Sequence, residues 1–126
     1  MFQKIDYLMV MVSKMDASVK FYRDALGLKL KFESPGWSEF ETGPTTLALH
    51  ISGRSGGGEL DHSVPGMLRL GFNVEDVDHA AQTLKDRGVR FVQEPTLQPQ
   101  EGIKLGMFVD PDGMRISIAQ NVRRTG

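Results

Sequence analysis

Four polar side chains interrupt otherwise apolar stretches of this sequence, namely Tyr7, His50, Arg69 and Ser117. A phenol or an imidazole can transfer a proton, and an imidazole titrates near neutral pH. A guanidinium can hold a carboxylate or a phosphate through two parallel hydrogen bonds. The chain contains no cysteine, which excludes disulfides and a cysteine nucleophile. The spacing shows no nucleophile–base pair, so no catalytic residue is assigned.

The segments that carry these side chains occur in the same order twice. The first copy predicts a strand over residues 3–12 and a helix that begins with Asp16 as N-cap and ends at Leu26, before Gly27. Three short strands follow, at 28–34, 37–42 and 45–51.

The second copy predicts a strand over 68–74 and a helix over 77–87, which Gly88 closes. Its three further strands are predicted at 89–94, 103–110 and 113–120, and the last two meet in an Asp-Pro-Asp-Gly turn.

This repetition predicts an α+β fold of two tandem βαβββ modules. Val12 matches Val74, and Met15 matches Val77 at the same spacing. Each module has one face covered by its helix, so the modules are expected to form a curved mixed sheet around a concave pocket, with the helices outside. We expect a single domain over 1–126, divided into module one at 1–52, a glycine-rich linker at 53–66, and module two at 67–122.

Strand alternation predicts which side chains face the pocket, since successive strand residues point to opposite faces. The aliphatic set of each strand is assigned to the helix, for example Leu8, Val10 and Val12, or Leu68 and Leu70. The opposite set mixes apolar area with a few polar groups, as small-molecule pockets do. It comprises Tyr7, Met9, Met11, Ala48, His50, Arg69, Asn73, Arg115 and Ser117. The alternative is an interior filled by its own side chains.

Composition limits the classes of partner. The net charge is −1, from 15 basic and 16 acidic residues, without a long block of either sign. We therefore expect no nucleic-acid partner and no membrane partner. No apolar run reaches the ~20 residues that span a bilayer, and the N-terminus lacks the apolar core of a signal peptide. A cytoplasmic location is predicted.

Several motifs together indicate a family. They are residues 5–12 and 15–28, Gly-Trp-Ser-Glu-Phe at 36–40, Leu-Ala-Leu-His at 47–50, and Phe-Val-Asp-Pro-Asp-Gly at 108–113. Their order and spacing resemble the vicinal oxygen chelate superfamily, which includes glyoxalase I, extradiol dioxygenases and bleomycin-resistance proteins. The resemblance implies a homodimer. Trp37 and Phe40 can stack on a flat ligand or cap the core, and the resemblance favours the first alternative, aromatic walls of a ligand groove.

The same resemblance implies metal ligands at recurrent positions in the metal-dependent relatives. The two histidine positions are Tyr7 and Arg69 here, and a glutamate position is Ser117. A fourth lies on the strand that contains Ala48 and His50. A guanidinium repels a cation, and a catalytic divalent ion normally needs about three protein ligands. We therefore expect no metal and no cofactor.

Two specific functions remain open from the sequence, and so does a third possibility, an interaction or regulatory unit whose concavity is closed. The first is a metal-independent small-molecule-binding protein of the bleomycin-resistance type, which sequesters a partly aromatic or anionic ligand. Its predicted ligand-binding residues are Tyr7, Met9, Trp37, Phe40, His50, Arg69, Asn73, Arg115 and Ser117. The alternative is a glyoxalase- or dioxygenase-like lyase or isomerase with an atypical or absent metal site. For Arg69, a ligand anion and an internal partner, Glu39 or Glu41, are equal alternatives.

Overall fold

The chain divides into two compact units. The computed structural model describes residues 1–54, which we call the first unit, and residues 65–122, which we call the second unit. Positions 55–64 of the predicted linker lie outside the described residues. None of the helices in the two described ranges is long and apolar enough to cross a membrane.

The first unit is a βαβββ module. Its elements are β1 (Tyr7–Val12), α1 (Met15–Lys20), β2 (Lys29–Phe32), β3 (Trp37–Thr42) and β4 (Thr45–Ile51). The sheet order is β1-β4-β3-β2, in which β1 runs parallel to β4 and the other neighbours are antiparallel. A π-helical turn (Phe21–Ala25) extends α1, and Leu26 N–H donates to the Phe21 carbonyl at 3.0 Å.

The core of the first unit lies between the helix and one face of its sheet. Val10 and Val12 of β1 and Leu47 and Leu49 of β4 are buried on that face. The helix contributes its own buried side chains, Met15, Ser18, Val19 and Tyr22. Burial of such aliphatic and aromatic side chains is the main stabilising term, at about 1.5–3 kcal/mol for each aliphatic one.

The second unit repeats the order. Its elements are β5 (Leu70–Asn73), α2 (Val77–Asp86), β6 (Phe91–Gln98), β7 (Ile103–Val109) and β8 (Arg115–Asn121), in the sheet order β5-β8-β7-β6. Asp76 caps α2 by accepting from His79 N–H at 3.0 Å. Val77, Ala81 and Leu84 of α2 are buried with Phe108, Ile116 and Ile118 of the sheet.

The turn between β7 and β8 depends on one buried carboxylate. Asp110 Oδ1 accepts backbone N–H groups of Asp112 and Met114, each at 2.9 Å. Gly113 has a φ of 85°, a left-handed conformation that glycine adopts without strain. The predicted structural role of this Asp-Pro-Asp-Gly sequence is confirmed.

The predicted fold class is confirmed, because both units have the βαβββ order with a helix on one sheet face. Strands β3 and β4 have the predicted bounds, and Gly27 and Gly88 have the positive φ expected after a helix. The domain boundaries and the shared concave pocket stay predictions.

Four local predictions are wrong. The first strand begins at Tyr7 rather than residue 3, since Tyr7 is paired with Thr46 and its partner strand begins only at Thr45. Lys14, not Asp16, is the N-cap of α1, and Asp16 lies in its first turn. Strand β6 continues through Pro95 to Gln98, which an edge strand tolerates. Leu68 precedes β5 and is exposed, so it does not face the helix.

Candidate functional site

The open face of the first unit, opposite its helix, carries three rings in contact. The ring centroids of Tyr7 and Trp37 are 6.0 Å apart, and those of Trp37 and His50 are 5.9 Å apart. Both pairs are edge to face, with interplanar angles of 72° and 88°, a favoured geometry for aromatic rings. Three residues predicted for the ligand site are therefore brought together, and we call them the aromatic cluster.

Strand register explains how side chains from three strands meet. β4 lies between β1 and β3, and His50 is paired with Trp37 on one side and Met11 on the other. The next open-face position of β4 is Ala48, which is paired with Met9 and Glu39. Because Ala48 has the shortest side chain that carries a β-carbon, rings from the two flanking strands can meet above it.

The apolar surface beside the cluster is accessible. Tyr7 is 52% exposed, and Met9 and Met11 are each 48% exposed, whereas Ala48 beneath the rings is 0% exposed. Large apolar side chains left half-exposed side by side on one sheet face offer apolar area that a ligand or another protein can contact. Methionine is suited to this use, because its unbranched thioether adapts to ligands of different shape.

A polar network holds Trp37 in place. Its indole Nε1 donates to Glu39 Oε2 at 2.7 Å, and Glu39 Oε1 lies 3.5 Å from Lys31 Nζ. Lys31 Nζ also donates to Thr46 Oγ1 at 2.7 Å. Glu39 was not predicted as a site residue, although its position two residues after Trp37 places both on one strand face.

The network also gives Glu39 and Glu41 partners within the first unit. Glu41 lies 3.3 Å from Lys29 Nζ, across the β2–β3 pair. Since each glutamate is paired with a lysine of its own unit, the prediction that one of them serves as the internal partner of Arg69 gains no support.

The ring of His50 contacts the backbone through its Nδ1 atom. Its Nδ1 lies 2.7 Å from the carbonyl oxygen of Ile51. A carbonyl oxygen only accepts hydrogen bonds, so Nδ1 carries the hydrogen and the lone pair of the neutral ring is at Nε2. The ring can therefore accept a hydrogen bond from a ligand through Nε2.

Phe40 does not belong to this face. It is 0% exposed, and its ring packs against Tyr22 of the helix, with centroids 6.0 Å apart. The prediction that Phe40 forms a ligand wall is therefore wrong. Trp37 and Phe40 are three positions apart on one strand, and residues at an odd separation point to opposite faces.

The open face of the second unit holds the remaining predicted residues. Gly71 and Asn73 of β5 are paired with Ser117 and Ala119 of β8. Ser117 is also paired with Met107 of β7. Arg115 precedes the buried Ile116, and Arg69 precedes Leu70, so both arginines belong to the same face as Ser117.

An open depression of about 440 Å³ lies on this face. It is lined by Gly71, Phe72, Asn73, Glu101, Ile103, Ser117, Ala119 and Asn121. A β-carbon at Gly71 would come within 3.0 Å of Ser117 Oγ, so glycine lets the two strands' open-face groups lie side by side. Ile103 was not predicted as a site residue, whereas alternation along β5 predicts Gly71 on the same face as Asn73.

The side chains at the expected ligand positions do not fit a divalent metal ion. They supply a phenol at Tyr7, a guanidinium at Arg69 and a hydroxyl at Ser117, where imidazoles and a carboxylate would be needed. Within residues 1–54 and 65–122, no three histidine, aspartate or glutamate side chains gather as a metal site would require.

Comparison with known proteins identifies the family. Residues 4–118 match the family model described as the Glyoxalase/Bleomycin resistance protein/Dioxygenase superfamily. The chain belongs to this superfamily, as its motifs predicted.

Individual relatives include both binding proteins and enzymes. The chain is 28% identical to TnmS3, an antibiotic binding protein from Streptomyces sp. CB03234, with a TM-score of 0.75 over 95% of this chain and 97% of that one. It is 26% identical to a probable lactoylglutathione lyase from Synechocystis, covering 90% of this chain and 92% of the relative. A superfamily member from Sphaerobacter thermophilus is 25% identical, with a TM-score of 0.75 over 94% and 98% of the two chains.

Proposed function

We propose that this protein binds a small, flat, partly aromatic or anionic molecule without a metal ion, as a bleomycin-resistance-type sequestering protein does. The observation that carries the proposal is the aromatic cluster of Tyr7, Trp37 and His50, which lies beside two half-exposed methionines on an open sheet face. The donor set at the expected metal positions supports binding without a metal.

The geometry of the cluster favours stacking of a planar ligand. Three rings contribute a large contact area, since one aromatic side chain can bury about 150–250 Å². The hydrogen bond from Trp37 to Glu39 fixes the indole before a ligand arrives. A prearranged ring loses little conformational entropy on binding, which raises affinity.

Similarity to TnmS3 adds support for the class of ligand. That protein is an antibiotic binding protein, and the alignment with it covers nearly the whole of both chains. We extend to this chain the proposal that its ligand is an antibiotic-like natural product. We also propose that it acts as a homodimer in the cytoplasm.

An enzyme of the lyase type is the second candidate, favoured by the similarity to a probable lactoylglutathione lyase. Tyr7 and His50 on the same face would supply acid–base groups in that case. Turnover of the methylglyoxal–glutathione adduct by the protein in EDTA would support this candidate. A rate no higher than that of buffer would reject it for this substrate.

Trp37 makes the binding proposal directly testable, because it is the only tryptophan in the chain. Bleomycin and a panel of flat aromatic natural products would be titrated into the protein in EDTA while the fluorescence of Trp37 is followed. We expect saturable quenching by at least one compound. Tyr7→Ala should weaken that binding about tenfold, since loss of one stacking ring costs about 1–1.5 kcal/mol.

Phe2→Ala is the matched control, since it removes an aromatic side chain that is 94% exposed and lies before β1. This control should bind like the unaltered protein. The proposal fails if no compound in the panel quenches Trp37, or if Tyr7→Ala and Phe2→Ala weaken binding equally.

A further inference from the structure

Two arginines occupy neighbouring positions at one end of the second unit's open face. β5 and β8 run parallel, and Leu70 is paired with Ile116. Arg69 directly precedes Leu70 at the start of β5, and Arg115 directly precedes Ile116 as the first residue of the adjacent strand β8. Arg115 is also paired with Val109 of β7, so it lies between two other strands rather than at a sheet edge.

The guanidinium of Arg69 extends across the sheet. Its Nη1 lies 3.4 Å from the sulfur of Met107, which belongs to β7, whereas Arg69 adjoins β5. The side chain therefore spans β8, the strand that carries Arg115 and Ser117. A thioether sulfur is a weak acceptor, so this contact places the guanidinium without neutralising it.

No carboxylate in residues 65–122 forms an ion pair with Arg69 or Arg115. Lys85 and Lys104, by contrast, are paired with Glu94 and Asp78. Two guanidinium groups on one face therefore reinforce each other's positive potential. Glu101, which also lines the depression, lies before β7 at the other end of the face, where Ile103 is paired with Asn121. The pair of arginines favours an anion, which each guanidinium can bind through two hydrogen bonds.

We propose that Arg69 and Arg115 together bind the anionic group of an organic ligand, whose apolar body lies in the adjoining depression. Ser117 and Gly71, two positions after Arg115 and Arg69, are the next residues on the open face, and both line that depression. The ligand class is thus an aromatic or apolar carboxylate, sulfonate or phosphate ester. This inference goes beyond the proposed function, because it adds an anion-binding site on the open face of the second unit.

Two fluorescent probes with one skeleton separate the anion site from general apolar binding. 8-Anilinonaphthalene-1-sulfonate carries a sulfonate, and N-phenyl-1-naphthylamine is its uncharged counterpart. Both probes would be titrated into the folded, full-length protein at low salt. We expect the sulfonate to bind at least tenfold more tightly, since a charged hydrogen bond contributes at least that factor.

Variants in which glutamine replaces one arginine then show which residues bind the sulfonate. Arg69→Gln and Arg115→Gln should each weaken binding of the sulfonate about tenfold and leave the uncharged probe unaffected. Arg69→Lys should bind the sulfonate with intermediate affinity, because it keeps the charge and loses the planar fork. Arg90→Gln is the matched control, since Arg90 is exposed before β6 and its loss changes the net charge equally.

The outcomes distinguish this inference from the proposed function. The anion site would be overturned if both probes bind with equal affinity and the arginine substitutions leave that affinity unchanged. Small-molecule binding would then remain in place. Binding of the sulfonate alone, lost in both glutamine variants, would support the anion site and count against a purely aromatic ligand. If neither probe binds, the anion site is overturned, whereas the proposed function is decided by the titration of the natural-product panel followed by Trp37 fluorescence. An equal effect of Arg90→Gln would also overturn the anion site, since the effect would then be one of net charge.

Discussion

The rings of Tyr7 and Trp37 meet edge to face above Ala48, although they belong to strands on opposite sides of β4. Their contact depends on the small side chain between them. Tyr7 is paired with Thr46 and Trp37 with His50, so Ala48 is the open-face residue of β4 that lies between their two partners.

Ala48→Leu should therefore separate the rings and weaken binding of an aromatic ligand. Overpacking at this fully buried position should also lower the free energy of unfolding by about 1–3 kcal/mol. Chemical denaturation and ligand titration of the same preparation measure both effects. Ala48→Gly is the control that adds no bulk, and it should retain ligand affinity. Retained affinity in Ala48→Leu would contradict a role for ring contact.

Glu39→Ala should loosen the indole of Trp37, because the acceptor of its Nε1 hydrogen bond is removed. We expect lower steady-state fluorescence anisotropy of Trp37. Ligand affinity should fall about fivefold, as expected for one hydrogen bond of about 1 kcal/mol. Glu39→Gln keeps an acceptor and should retain most of the affinity. Glu41→Ala removes the same charge from the same strand face, and an equal loss in that variant would show that charge, not the indole contact, is responsible.

Gly71→Ala should be destabilising by about 1 kcal/mol, because its β-carbon would lie 3.0 Å from Ser117 Oγ and the Ser117 side chain or its strand would have to move by a few tenths of an ångström. In a Ser117→Ala background the obstructing oxygen is absent, and the same change should be neutral or slightly stabilising. A double-mutant cycle from urea denaturation measures this coupling. Additive effects of the two substitutions would show that the close approach does not matter.

Ser18→Ala should stabilise the protein. Ser18 Oγ is buried beneath α1 and makes no hydrogen bond with the described residues. Removing an unsatisfied hydroxyl relieves a desolvation penalty and improves helix propensity, together about 1 kcal/mol, or about 4 °C in Tm. Ser38 is equally buried, but its Oγ lies 3.4 Å from backbone atoms of Ser34, so Ser38→Ala should not be stabilising. A lower Tm for Ser18→Ala in calorimetry would contradict this account.

The sequence predicted the architecture well because two independent periodicities agree. Alternation along β1 separates buried Val10 and Val12 from exposed Met9 and Met11, and helical spacing in α2 places Val77, Ala81 and Leu84 on one buried face. Glycines after both helices also mark real boundaries. The predicted strand ends agree less well with the structure, because the length of a strand depends on the strand with which it pairs.

The site was predicted only in part, because its contacts also depend on which strands are neighbours. Alternation placed Tyr7, Met9 and His50 on one face, and the structure adds that Tyr7 and His50 both contact Trp37. Phe40 was assigned to the ligand wall through resemblance, although its parity relative to Trp37 assigns it to the core. The contacts of Glu39 with Trp37 and of Arg69 with Met107 depend on rotamers and strand neighbours, which one sequence does not specify.

The most direct test of the central claim is a titration of the best-bound aromatic compound, read by Trp37 fluorescence, in three preparations. One is treated with EDTA, one is supplied with Zn²⁺, and one with Mn²⁺. Metal-independent binding predicts the same Kd in all three, because the ligand contacts rings and methionines rather than an ion. Binding that disappears in EDTA and returns with either ion would contradict the account.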